Sequence, residues 1–290
     1  MPLRRSAVWI VGRGLVILLI SGLAAATLAR FAPGFGVDEF ALDARLSPES
    51  IRALEHQRLG EKNLAVFYVR YLGGLLRGDA GRSVVFGEAV GRLLCERAPL
   101  TIHSVLTGVA VGWFVAGLLA AAAALTGNAA AVLAGTAGSG LLVSIPAAVL
   151  ATLCLVLRLS PAAAIAAVVL PRVYPHVYEQ IRASLMAPHV VMARARGISG
   201  LRLFMFHIAP PTVMPLVAVG GTSIVLALGA AVPIEALADS PGIGQLAWRA
   251  ALGRDLPVLV TMTLLFTAVT ICASVAADLM VLRLRAGRAA

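Results

Sequence analysis

Charge is scarce in this sequence: 13% of its 290 residues are charged and 60% are hydrophobic, where soluble domains carry about 25% charged residues. With a mean hydropathy of +0.92, a water-facing globular chain is excluded. The expectation is a polytopic all-α membrane protein whose backbone polar groups pair internally. Lysine is almost missing. Lys62 stands alone, in Gly60-Glu61-Lys62-Asn63, so the phosphate-binding GxxxxGK[ST] loop, which needs a lysine at the phosphates, is impossible. The three cysteines, Cys95, Cys154 and Cys272, are far apart with no CxxC spacing, which indicates neither a disulfide framework nor a metal site. The five histidines (His56, His103, His176, His189, His207) are scattered, without zinc-ligand spacing. There is no HExxH and no GxSxG, and Gly242-Ile243-Gly244 does not extend to GxGxxG. No cofactor, metal or enzymatic activity is expected of this chain.

The net charge of +10 is unevenly spread. Residues 31–98 hold nine acids and nine bases and are neutral. The excess lies at the ends and in short loops, the pattern of topology signals rather than of a nucleic-acid-binding stripe. Apolar runs predict six spans: 8–30, 100–125, 129–157, 161–181, 212–237 and 257–282, since about 20 apolar residues suffice to cross a bilayer. The first could be a cleaved signal peptide, but Arg13 sits badly in such a segment, and a retained span is favoured. Gly108 and Gly112 allow close helix contact in the second. Ser144-Ile145-Pro146 breaks the third. The fourth carries Arg172, His176 and Glu179; Arg172 or Glu179 could line a pathway, but placement of these groups at the inner interface is the favoured reading. With both ends inside, ten arginines are inside (Arg4, Arg5, Arg13, Arg182, Arg194, Arg196, Arg202, Arg283, Arg285, Arg288) and four in short outer segments (Arg30, Arg158, Arg249, Arg254), which satisfies the positive-inside rule.

This divides the chain into a tail and first span (1–30), an outer helical region (31–98) and a five-helix membrane core (99–290) with an inner loop at 182–211. In the outer region, helices are predicted after Ser47-Pro48-Glu49-Ser50, over 68–76 up to the Gly78-Asp79-Ala80-Gly81 turn, and over 85–94. An outer loop is expected over 235–256.

The inner loop contains MARARGISGLRLFMFHIAPP (192–211), the long polar interruption of the C-terminal half. Gly197 reads as a helix stop. Leu201, Phe204 and Ile208 are predicted to share a face of a second short helix, and Pro210-Pro211 to open the next span. Small alanines would let a partner surface approach. A basic loop that merely sets topology is the competing reading.

Six stretches, in order, resemble one family. ARFAPG (29–34) is similar to its LAPG, and YVRYLGGLLRGDAGRS (68–83) to its Y-x-x-W-L-x-x-L-x-x-G-D-L-G-x-S. ERAPLTI (96–102) is similar to R-L-P-x-T-L, and LLVSIPAAVL (141–150) to S-I-P-x-F. MARARGIS (192–199) is similar to T-A-R-A-K-G-L-S. PIEALADSPGIGQLAWRAALGRDLPV (233–258) is similar to E-x-x-F-x-x-P-G-I-G-x-L-x-x-A-x-x-x-R-D-x-P. The chain thus resembles the inner-membrane permease subunits of binding-protein-dependent ABC transporters, of the oligopeptide, dipeptide and nickel type. It departs from them in Val191-Met192 at the start of the inner motif, in the short 158–161 outer turn, and in lacking D-P-R near the C-terminus.

The resemblance implies a type I ABC importer permease fold in the cell (inner or plasma) membrane, with both termini cytoplasmic. It implies three kinds of partner besides the bilayer: a second homologous permease, two cytoplasmic P-loop ATPase subunits, and an extracytoplasmic solute-binding protein; no nucleic acid is involved. Met192, Ala193, Arg194, Ala195, Arg196, Gly197, Ile198, Ser199 and Gly200 would form the ATPase-coupling loop. Ser144, Pro146, Glu235 and Asp278 are candidate pathway or gate residues. Gly197→Pro or a bulky side chain at Ala193 is expected to uncouple ATP hydrolysis from uptake without stopping insertion. A stand-alone secondary transporter and a membrane-embedded lipid-modifying enzyme remain as rival readings.

Overall fold

The computed structural model describes residues 2–31 and 64–289, and the helix predicted after Ser47 lies outside them. Among the described residues the chain is helical. It contains no strand beyond one antiparallel bridge between Arg82 and Ala89. In order, the helices are α1 (Pro2–Phe31), α2 (Leu64–Leu75), α3 (Val90–Thr126), α4 (Ala129–Ser144), α5 (Ala147–Val156), α6 (Pro161–Leu185), α7 (Pro188–Ala195), α8 (Gly200–Leu203), α9 (Ala209–Leu237), α10 (Ile243–Leu252) and α11 (Leu256–Ala289), with a π-helical turn at Phe204–Ile208 between α8 and α9. Three stretches are long and apolar enough to cross a membrane: Val90–Thr126, Gly200–Leu237 and Leu256–Val281. The α4–α5 pair passes the same test together but bends by 99° at its break. α1 contributes a shorter apolar stretch, Gly12–Leu28.

Local chemistry explains several boundaries. Gly127 takes φ +63° and Asn128 caps α4, its side chain accepting from the Ala130 and Ala131 amides. The bend falls where the Ser144-Ile145-Pro146 motif predicts. Proline disfavours a helical conformation in the residue before it, and Ile145 is extended (φ −84°, ψ 122°). Gly78 and Gly81, at φ +83° and +79°, form the turn expected after α2.

Three expectations are corrected. The short helix placed at 85–94 does not exist as such. Residues 84–86 form a turn, and the helix starts at Val90 and runs unbroken to Thr126. The outer loop at 235–256 is largely helical, because α9 continues to Leu237 and α10 follows. Finally, Leu201 is 77% exposed, while Leu203 and Ile208 are buried. The five-residue spacing of the buried pair follows from the π turn, whose bonds span i to i+5 rather than i to i+4, so the face extrapolated from a 3.6-residue period is wrong here.

The chain divides into two compact units, one of Met1–Glu96 with Ala247–Ala268, the other of Arg97–Leu246 with Val269–Ala290. In the first, Tyr68 and Tyr71 of α2 are buried with Ala26 of α1 and with Val260 and Leu264 of α11. The Tyr68 hydroxyl donates to the Leu19 carbonyl at 2.7 Å, and the Tyr71 hydroxyl meets Thr261 Oγ1. Burial raises the Tyr71 phenol above its ordinary pKa.

In the second unit α6 is the hub. Ile165, Val169, Val173, Tyr174, Val177, Tyr178 and Ile181 are buried along it. Gly108 and Gly112 of α3 meet it closely: a Cβ at Gly108 would lie 2.7 Å from Ile165, and one at Gly112 3.1 Å from Val169. The close contact expected of this glycine pair is therefore made within the chain. Arg172, His176 and Glu179 are exposed on the opposite side of α6.

Candidate functional site

The segment 182–211, expected to be an inner loop, is built around α7. Val190 and Ala193 are buried in the main core cluster. Val191 and Met192 are 55% and 57% exposed, and Arg194, Ala195, Arg196, Ser199 and Gly200 are exposed with them. α7 ends in a Schellman arrangement. The Gly197 amide donates to the Arg194 carbonyl at 2.9 Å and the Ile198 amide to the Ala193 carbonyl at 3.1 Å. This requires a left-handed residue after the helix cap, and Gly197 has φ +80°. Ile198 then packs against the same core. The helix stop read from the sequence thus has a full geometric basis. The small alanine at 193 belongs to the chain's own packing, however, and the exposed side of the segment carries Val191, Met192, Arg194 and Arg196. Periodicity could not assign these faces, because the segment is only eight residues long.

At the far end of α9, Glu235 is fully buried, at 0% exposure. Its Oε2 accepts from the Gly244 amide at 2.7 Å. Thr101 Oγ1 of α3 accepts from the Ile243 amide at 2.8 Å. A Cβ at Gly242 would run into both Glu235 Oε2 and Thr101 Oγ1. Asp239, in the left-handed region at φ +47°, accepts from Gln245 Nε2 at 2.7 Å. Pro241-Gly242-Ile243-Gly244 is therefore folded around one carboxylate. Sequence reasoning marked Glu235 as a possible gate and the glycines as a turn without linking them.

A second buried carboxylate, Asp255, fastens the other compact unit. It is 0% exposed, accepts from the Ser83 hydroxyl and from the Val85 amide at 3.0 Å, and caps α11 through the Val258 amide at 3.4 Å. Ser83 ends the GDAGRS stretch and Asp255 belongs to GRDLPV, so two motifs 172 residues apart meet in one bond. Asp255→Leu is expected to destabilise the protein by about 1–3 kcal/mol, because it leaves the buried Ser83 hydroxyl without an acceptor and removes the acceptor of the Val85 amide. Asp255→Asn, which keeps an acceptor, should cost less. The thermal midpoint of the detergent-purified protein measures both, and an unchanged midpoint for the leucine variant would refute the tether.

The other candidate pathway residues are placed apart from these clusters. Ser144 is exposed and its hydroxyl donates to the Gly140 carbonyl at 3.0 Å. Pro146 caps α5 at the bend, and Asp278 is exposed on α11. Among the described residues, no hydrogen bond or ion pair joins Glu235 to Ser144, Pro146 or Asp278.

An all-helical chain with a knob between two core helices and tightly turned loops at the other helix ends can be set beside known proteins. It is 25% identical over 296 aligned residues to a peptide permease protein of Brucella ovis, covering 92% of this chain and 93% of that one. It is 25% identical to a nickel import system permease protein of Staphylococcus aureus, covering 93% and 87%. It is 23% identical to a dipeptide transport system permease protein of Lactococcus lactis, covering 78% and 80%. Residues 114–287, which include α7, the Glu235 loop and most of α11, match the profile of a single family. On that match the chain belongs to the binding-protein-dependent transport system inner membrane component family, and it is an ABC-transporter permease of the multi-pass inner-membrane kind.

Proposed function

We propose that this chain forms one half of the translocation pathway of an ABC importer for short peptides, with nickel as the minority alternative. A second, homologous permease supplies the other half. Two P-loop ATPase subunits hydrolyse ATP on the cytoplasmic side, and a solute-binding protein delivers cargo outside. α1, α3, the α4–α5 pair, α6, α9 and α11 are the six spans, with both termini cytoplasmic. Residues 31–98 form the outer helical region that receives the binding protein, and 99–290 the membrane core. Arg172, His176 and Glu179 support placing α6 at the pathway, since ionisable groups at membrane depth face water or protein rather than lipid. Cargo choice rests mainly with the binding protein.

The observation that carries this reading is the two-sided α7. Val190 and Ala193 on one side are anchored in the core, while Val191, Met192, Arg194 and Arg196 project as an apolar and basic knob. Such a knob suits a groove on an ATPase that closes with ATP. Residues 192–200 then convert closure into a rigid-body reorientation of the spans. Mild-detergent pull-down of the tagged protein tests this. A second permease and P-loop ATPases in the eluate support it. A chain that runs alone or as a homodimer overturns it, and moves a stand-alone transporter or a lipid-modifying enzyme to first place.

A further inference from the structure

We infer that His189 is a positioning residue that ties α7 to the head of α9 and carries the displacement of one into the other. The inference rests on the coupling function proposed above. Its starting point is a backbone group that the helix cannot satisfy. In an α-helix the His207 carbonyl would accept from the amide four residues on. That residue is Pro211, which has no N–H. The chain responds by widening into the π turn at Phe204–Ile208, where the Ala209 amide reaches back to the Phe204 carbonyl. The freed His207 carbonyl lies 3.1 Å from His189 Nε2. A carbonyl oxygen only accepts, so Nε2 carries the hydrogen. On the next residue, the Ser184 hydroxyl donates to the Ile208 carbonyl at 3.2 Å. The end of α6 and the start of α7 thus hold two consecutive carbonyls at the head of α9.

Packing lies beneath these bonds. Val190, Ala193, Leu203 and Ile208 are buried in one cluster. Apolar packing is non-directional and permits sliding, whereas a hydrogen bond weakens steeply when its angle is lost. The His189 bond therefore resists the shear that packing allows. A lateral push on the exposed knob of α7 is passed to the first turn of α9 and from there along the span. His189 is itself exposed, so replacing it opens no cavity.

The test uses the whole complex, purified with its ATPases and binding protein and reconstituted in vesicles, with a labelled alanine dipeptide and nickel(II) as the transport probes. The readout is probe moved per ATP hydrolysed. His189→Leu is expected to lower this ratio about tenfold, within the range by which mutations along a coupling route act, while the ATPases still co-purify. His189→Gln, whose amide can donate in the same direction, should recover most of it. Pro211→Ala in the His189→Leu background restores a backbone donor to the His207 carbonyl without restoring the link to α7, and the ratio should stay low. A wild-type ratio in His189→Leu, or full recovery by Pro211→Ala, overturns the inference; recovery would mean that the histidine merely satisfies the carbonyl. A wild-type complex that holds no ATPases overturns the proposed function and this inference with it, and that outcome is visible before any variant is made.

Discussion

Met192→Asp is expected to lower uptake about tenfold while leaving the amount of protein in the membrane unchanged, a coupling loss of the 1–3 kcal/mol kind. Met192 is 57% exposed in the middle of α7, so the aspartate meets water in the free chain and costs the fold little. Its cost appears when an apolar and basic knob must enter a partner's groove and a carboxylate is desolvated there. Ala193→Trp should behave in the opposite way. Ala193 is 4% exposed and sits in the core cluster, and overpacking a filled core costs about 1–3 kcal/mol. That variant should lose protein from the membrane fraction before any question of coupling arises. This reverses the expectation drawn from sequence, in which the small residue at 193 was the docking contact. Immunoblots of membranes, ATPase recovery on pull-down, and uptake per unit of protein separate the two. Equal uptake by Met192→Asp and wild type would remove Met192 from the coupling surface, and normal protein levels for Ala193→Trp would contradict its burial.

The second large effect is expected at the turn around Glu235. Gly242→Ala puts a methyl group where Glu235 Oε2 and Thr101 Oγ1 already lie, and Gly244→Ala places one 2.6 Å from the Ala231 carbonyl. Neither obstacle is the free end of a flexible chain. Glu235 is bonded to the Gly244 amide, and the Ala231 carbonyl is helix backbone. Each substitution should therefore destabilise by about 1–3 kcal/mol. Glu235→Ala should cost a similar amount, because it strands the Gly244 amide in a buried site. Because Gly242 and Glu235 compete for one volume, their effects should not add. Removing the carboxylate makes room for the methyl, and the double variant should be more stable than the sum of the singles by at least about 0.5 kcal/mol. Thermal unfolding of the four proteins in detergent closes this cycle. Strict additivity would mean that the carboxylate and the glycine do not share the space.

Much of the backbone was readable in advance, because glycine and proline act through local sterics. Gly197 ends α7 since few other residues accept φ +80° at low cost. Ser144-Ile145-Pro146 breaks the third apolar run because proline restricts its predecessor, and the observed bend is 99°. Each of these needs only the residue and its neighbours. The π turn shows where this stops. Pro210-Pro211 read as the opening of a new helix, yet they lie within one helical stretch, Gly200–Leu237, just after a π turn that buries Leu203 with Ile208 in place of Leu201.

The sequence by itself therefore determined the all-helical membrane class, most helix ends and the family, because those follow from apolar run length, backbone sterics and the order of short motifs. Tertiary structure alone decided which side of α7 is buried. It also decided that Gly108 and Gly112 meet α6, that Ser83 pairs with Asp255, and that Glu235 folds the Pro241–Gly244 turn around itself. Those outcomes depend on which distant group arrives at hydrogen-bond or van der Waals distance. Sequence spacing carries no information about that arrival until the helices have packed.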